Sequence, residues 1–240
     1  MEASESYALT ILPSICDFDM RLSCPDCFAV FQDIAADHAQ KLGVGAGAMF
    51  DRGLFWLTVK TKIHFLRRPA MLETVTVSTR PLAPEKVRSI REYRLTAGDE
   101  LLAEGKTEWT VIETASGTIH PMADVFGSDL ELGREARYTA PFCRIDPRIA
   151  PEERLGTYTV RSVDIDMGGH MNNVAYLRAV YGLLTTEARR NAPQNEVEIA
   201  FRSPCYEGET LTGYCRKLAE AWELALVKPD NTPAVLVRMA

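Results

Sequence analysis

The sequence has no apolar run near the roughly 20 residues that a helix needs to cross a bilayer, so no membrane insertion is expected. It also lacks a surplus of positive charge. Lys and Arg number 27 against 33 Asp and Glu, and a net charge of -6 argues against a general nucleic-acid binder, whose phosphate contacts require a basic face. A metal-ligand set is missing too. Cys24-Pro-Asp-Cys27 has the spacing of half a zinc site, but no second cysteine pair or histidine pair follows at the usual distance, so neither a metal nor a cofactor is expected. The opening Met1-Glu-Ala-Ser-Glu-Ser6 is acidic and polar where an export signal would be basic and then apolar. The expectation is a cytoplasmic protein whose six scattered cysteines (Cys16, Cys24, Cys27, Cys143, Cys205 and Cys215) stay reduced.

What is present is ordinary globular chemistry, 46% hydrophobic and 25% charged, over a length of 240 that fits one large domain or two small ones. The order of elements favours two. An extended apolar run over 7–18 ends in Asp17-Phe-Asp19-Met20. A helix follows, because Ser23 with Asp26 makes a capping box, Pro25 falls in the first turn, Phe28, Phe31, Ala35, Ala39 and Leu42 form an apolar stripe, and Gly43 closes it. Gly43 to Gly53 reads as a flexible loop. Extended segments come next at 54–65, 72–80, 87–97 and 101–112, with Ala97-Gly98-Asp99-Glu100 as a hairpin turn.

The second half repeats this order. A strand over Tyr158 to Ile165 runs into Asp164-Ile-Asp166-Met167, a helix covers 173–190, and strands lie near 195–202, 209–217, 221–228 and 233–239. Asp17-x-Asp19-Met20 matches Asp164-x-Asp166-Met167, and Phe65 with Glu73-Thr74-Val75-Thr76 matches Phe201 with Glu209-Thr210-Leu211-Thr212. The expectation is an α+β fold of two tandem lobes, 1–130 and 153–240, joined by a linker over 131–152. Each lobe would be an antiparallel sheet around one central helix. In strand 196–202, Val197, Ile199 and Phe201 should face the core, and Glu196, Glu198 and Arg202 should face water.

Only the second copy carries a dense polar constellation, Gly168-Gly169-His170-Met-Asn172-Asn173, where the alignment of the copies puts Arg21-Leu22-Ser23-Cys24-Pro25-Asp26 in the first. A turn needed for folding alone would look alike in both copies, so the difference points to chemistry. Asn172 is the expected N-cap, and the helix start it caps offers N–H groups and a positive dipole end to an oxygen gaining charge. Gly168 and Gly169 allow close backbone approach, His170 can act as acid or base, and Asp166 can orient it or activate water. Cys205 follows the strand expected beside the helix start, and reads either as a nucleophile or as small apolar filler. The clusters Arg67-Arg68, Lys86 with Arg88, Arg91 and Arg94, and Arg189-Arg190 read either as solvated edges or as a landing patch for an acidic partner.

Asp164-x-Asp166-x-x-x-His170-x-Asn172-Asn173-x-x-Tyr176 resembles the opening of the second helix in the acyl-ACP thioesterase family, enzymes of two tandem hotdog lobes that end fatty-acid synthesis. Ala36-Asp-His38-Ala39-x-x-Leu42-Gly43 followed by Gly53-Leu54-x-Trp56 is similar to that family's first helix and next strand, and Phe201-x-x-x-Cys205-x-x-x-Glu209-x-Leu211 to a strand of its second lobe. The resemblance implies hydrolysis of a fatty acyl thioester on acyl carrier protein, with Asp166, His170 and Cys205 as catalytic residues. It implies Gly168, Gly169, Asn172 and Asn173 around the carbonyl, and Phe28, Phe31, Leu54 and Trp56 along an acyl tunnel in the first lobe. Tandem lobes can pair within one chain, so a homodimer is optional. Two positions depart from the family pattern: Gly168 replaces the usual asparagine two residues before the histidine, and Pro204 replaces the usual glutamate before the cysteine. An acyl-CoA thioesterase, a non-catalytic acyl-thioester sensor and a hotdog dehydratase therefore stay open as alternatives.

Overall fold

The computed structural model describes residues 3–127, 130–148 and 153–240. Backbone contacts divide the chain into two compact units, Met1–Pro141 and Phe142–Ala240.

In the first unit, β1 (Glu5–Thr10) is followed by α1 (Cys24–Lys41), a short α2 (Ala46–Asp51), then β2 (Leu54–Phe65), β3 (Thr74–Pro81), β4 (Ser89–Ala97), β5 (Glu100–Glu113) and the two-residue β6 (Ile119–His120). The main strands pair antiparallel in the order β1-β3-β4-β5-β2, and β6 adds to β5. Ser23 caps α1, its Oγ accepting from the Asp26 amide at 3.1 Å. The inner stripe of α1 buries Phe28, Phe31 and Ile34 completely, each worth about 1.5–3 kcal/mol removed from water. This is one helix held in an antiparallel sheet, the hotdog arrangement expected. Two expected elements differ. The first strand stops at Thr10 because Pro13 opens a 3-10 turn over Pro13–Ile15. The loop 43–53 contains α2, since burying Met49 among Val44, Leu54 and Val111 orders an alanine-rich segment that looks flexible when read alone.

The second unit holds β7 (Arg154–Thr159), α3 (Asn173–Leu183), α4 (Thr186–Asn191), β8 (Glu196–Phe201), β9 (Thr210–Lys217), β10 (Trp222–Val227) and β11 (Pro233–Met239). Its strands run antiparallel in the order β8-β11-β10-β9-β7. The helix expected over 173–190 is two helices. Leu184 is extended, and Thr185 caps the second by accepting from the Ala188 amide at 3.1 Å. Leu183 fits there because its side chain rests on Gly213 of β9, where an added Cβ would come within 2.3 Å of it. The strand expected over 158–165 ends at Thr159, and Ser162–Asp164 form a 3-10 turn stitched by the Asp164 carboxylate.

The segment expected as a linker packs closely. Glu92 of β4 is buried and its Oε1 accepts from the amides of Arg137 and Tyr138, both at 2.8 Å, while Lys62 Nζ donates to the Pro141 carbonyl at 2.7 Å. In the second unit the Cys143 amide donates to Glu198 Oε2 at 2.8 Å, and Ile145 packs with Ala200, Ala225 and Leu236. Residues 149–152 lie outside the described residues. This strap overturns the expectation of a wet face on β8: Glu198 is buried, because a covering segment supplies the donor that its carboxylate loses from water.

Candidate active site

The polar turn before α3 is built on Asp166. Its amide donates to the His170 carbonyl at 3.0 Å, its own carbonyl accepts from the Gly169 amide at 3.0 Å, and its Oδ1 accepts from the Gly168 amide at 2.7 Å. Of the two glycines only Gly169 has a positive φ, +76°, the conformation that makes glycine useful there. Asn172 then caps α3, its Oδ1 accepting from the Val174 amide at 2.8 Å, and Asn173 opens the helix. The result places His170 Nδ1 3.8 Å from Asp166 Oδ1, with both side chains partly open to solvent.

The other carboxylate of the motif is part of the scaffold. Asp164 is buried, and its Oδ2 accepts from the Tyr158 hydroxyl and the Arg161 amide, both at 2.7 Å. Burial first, then this carboxylate, pushes the Tyr158 phenol up to about 12.

Equivalent hydrogen bonds in the two units correct the alignment of the copies. Asp17 N donates to Arg21 O as Asp166 N does to His170 O, and Met20 N donates to Asp17 O as Gly169 N does to Asp166 O. Leu22 N donates to Pro69 O at 2.9 Å as Met171 N does to Cys205 O at 2.7 Å. Asp17 therefore stands where Asp166 does, Arg21 where His170 does and Ser23 where Asn172 does, two residues away from the pairing with Asp164 and Gly168 expected from the Asp-x-Asp-Met match. The Glu73 and Glu209 pairing holds, since Ile11 N donates to Glu73 O and Val160 N to Glu209 O.

The corrected register gives the asymmetry a physical content. In the first copy Asp17 is 3% exposed and ion-paired to Arg68. The position of Arg68, immediately before Pro69, is Pro204 in the second copy. Asp166 thus keeps its turn but faces an imidazole in place of a guanidinium, and its side chain is 24% exposed. The first copy uses the carboxylate for folding; the second leaves it available.

Cys205 is fully buried, and burial pushes its thiol upward even though the Tyr176 hydroxyl beside it works the other way. Tyr176 also donates to the Ser203 carbonyl at 3.2 Å and packs edge-on against Phe201. Sequence reasoning gave Tyr176 no role. Its spacing was the available signal, since a residue four after the N-cap shares its helix face. The structure thus brings Asp166 and His170 together and ties Cys205 to the same turn through the Met171 amide.

The four residues expected along an acyl tunnel all lie in the first unit but in two places. Phe28 and Phe31 line α1, with Phe31 stacked on Tyr93 at 4.7 Å. Leu54 and Trp56 join the cluster around Met49, and Trp56 Nε1 donates to the Val44 carbonyl at 2.9 Å. The basic clusters, which read either as solvated edges or as a landing patch, are engaged within the fold in part. Arg67 pairs with Glu73 and Glu100, Arg68 with Asp17 and Asp19, and Arg91 is buried, while Lys86 and Arg88 stay exposed. Among the described residues no group of three His, Cys, Asp or Glu could hold a metal ion, and no helix is long and apolar enough to cross a membrane.

Comparison with known proteins agrees with this architecture. The chain is similar to chloroplastic oleoyl-acyl carrier protein thioesterases, 22% identical over 209 residues to that of Coriandrum sativum (76% of this chain, 54% of the relative) and 20% over 206 residues to one of Arabidopsis thaliana (75% and 54%). It spans about half the length of the curated relatives it matches. Its fold is that of an acyl-ACP thioesterase from Bacteroides thetaiotaomicron, with a TM-score of 0.88 at 18% identity over 98% of this chain and 96% of that one. The 12:0-ACP thioesterase of Umbellularia californica gives 0.82 at 16% identity, over 99% and 96%. The family model for the acyl-ACP thioesterase N-terminal domain matches residues 4–129 and that for the C-terminal domain residues 150–230, so the chain belongs to the acyl-ACP thioesterase family.

Proposed function

We propose that this protein hydrolyses the thioester of a fatty acyl group carried on acyl carrier protein, releasing free fatty acid, with Asp166 and His170 as its catalytic pair. The observation that carries the proposal is the Asp166 carboxylate 3.8 Å from His170 and, among the described residues, without a Lys or Arg partner, at a turn whose first-copy counterpart is locked to Arg68. Family membership supports the reaction class. The substrate carbonyl lies against the amino end of α3, near Gly168, Gly169, Asn172 and Asn173, where helix N–H groups stabilise the developing oxyanion. Asp166 with His170 withdraws a proton from an attacking water. The C–S bond of the tetrahedral intermediate then breaks, and His170 returns the proton to the leaving thiolate. Catalytic hydrogen bonds that are long in a free enzyme tighten in the complex, so 3.8 Å is compatible with this role. Cys205, a buried thiol, supports the turn and takes no covalent part. The acyl chain occupies the first unit near Phe28, Phe31, Leu54 and Trp56.

The test is thiol release from acyl-ACP and acyl-CoA of several chain lengths. Turnover with a preference for the carrier protein supports the reading, and a preference for acyl-CoA would move the protein to a different substrate class. Tight acyl binding with no thiol released would make it a sensor, an outcome that Gly168 and Pro204 keep in view because the family's amide and carboxylate are missing there.

A further inference from the structure

The inner face of the first sheet is half apolar and half polar. Val75, Val77, Ile63, Phe65 and Leu95 occupy one half, whereas strand register sets Tyr93 of β4 opposite Thr79 of β3 and Arg91 opposite Thr107 of β5, with Trp109 two residues further along β5. Arg91 is 6% exposed. Its partners are His38 Nδ1 from α1 at 3.0 Å and Thr79 Oγ1 at 3.4 Å, and no carboxylate among the described residues neutralises it. Two further donors nearby, the Tyr93 hydroxyl and Trp109 Nε1, are buried and make no well-formed hydrogen bond among the described residues, the hydroxyl having only Thr107 and Trp109 itself as polar neighbours. A buried cation without a counter-charge and orphaned donors are costly to keep, and what they lack in common is an acceptor oxygen.

We propose that Arg91, Tyr93 and Trp109 form a subsite for an acceptor oxygen carried on the acyl chain away from the thioester, making Arg91 the residue that selects oxygenated chains. The inference rests on the thioesterase reading, which puts the acyl chain in this unit. A carboxylate at the far end of the chain is the best complement, because it supplies the missing negative charge and accepts in two directions. A keto oxygen ranks next and a hydroxyl last, since the subsite offers more donors than it needs acceptors.

The experiment compares carrier-bound thioesters of equal chain length that are unsubstituted, hydroxylated, keto-substituted or terminated by a carboxylate, with wild type, Arg91→Met, Tyr93→Phe and Trp109→Phe. Wild type is expected to show kcat/KM at least about tenfold higher for the best oxygenated chain than for the plain one, roughly one hydrogen bond's worth of selectivity. That ratio should fall toward one in Arg91→Met and in Tyr93→Phe. Tyr93→Phe removes a hydroxyl that makes no well-formed hydrogen bond among the described residues, so its Tm should hold, and the changed ratio then reads recognition and not folding. Equal or better hydrolysis of the plain chain by wild type, or an unchanged ratio in Tyr93→Phe, would overturn the subsite. Should no thioester release thiol, the hydrolase reading fails by itself. Calorimetric binding of a long-chain monocarboxylic acid, whose carboxylate the subsite should take, to wild type, Arg91→Met and Tyr93→Phe then decides the subsite on its own: weaker binding in both variants supports it, and equal binding overturns it.

Discussion

The Met171 amide donates to the Cys205 carbonyl at 2.7 Å, the same bond that Leu22 makes to Pro69 in the first unit. Through it the turn carrying Asp166 and His170 is fastened to the loop that follows β8, where the residue immediately before Cys205 takes the place of Arg68. In the first copy that residue is the arginine that neutralises Asp17; here it is a proline.

His170→Ala and Asp166→Asn should each lower turnover by about 100- to 10,000-fold. Both side chains are partly exposed and outside the core, so circular dichroism and Tm should stay near those of wild type. A His170→Ala protein that turns over at the wild-type rate removes the histidine from the mechanism.

Pro204→Arg restores the counter-charge of the first copy. A guanidinium placed as in the Asp17–Arg68 pair would bond the Asp166 carboxylate and draw it away from His170 and the attacking water, so kcat should drop by about tenfold or more. Pro204→Ala, which adds no charge, is the control and should lose far less. Equal losses in the two variants would mean that the proline matters for backbone shape alone.

Cys205→Ala should retain most of its turnover, within about tenfold of wild type, because a buried thiol pushed upward by desolvation holds little thiolate at neutral pH. Slow alkylation of Cys205 by iodoacetamide in the folded protein should accompany it. Complete loss of activity in a folded Cys205→Ala protein, with a trapped acyl-enzyme in wild type, would establish a thiol nucleophile.

Stability should fall on mild acidification because of His38. Burial first, then the Arg91 guanidinium, hold its imidazole down to about 4, with Lys41 acting in the same direction and Glu5 and Asp37 against it. Between pH 6.5 and about 4 the unfolded chain binds a proton that the folded chain refuses, so folding free energy declines as pH drops through this window, by up to about 3 kcal/mol. Urea midpoints at pH 7 and 4.5 read this directly. His38→Gln should flatten that part of the profile, and an unchanged slope in the variant would place the acid sensitivity elsewhere.

Local chemistry was legible in the chain. Ser23 and Asn172 cap their helices through side chains two or three residues from the amides they satisfy, and β2, β5 and β11 fall where their runs of β-branched and apolar residues put them. The Asp166, His170 and Asn172 constellation was readable for the same reason, being contiguous. Tertiary structure decided the rest. That Glu92 and Glu198 are buried depends on a covering strap far away in sequence, and the break after Leu183 depends on the space above Gly213. The true register of the two copies, and with it the contrast between an aspartate locked to Arg68 and one left beside His170, rests on hydrogen bonds and an ion pair between residues that only folding brings together. Spacing along a chain reports which groups can share a turn, whereas the neutralisation of a charge is set by what arrives from elsewhere.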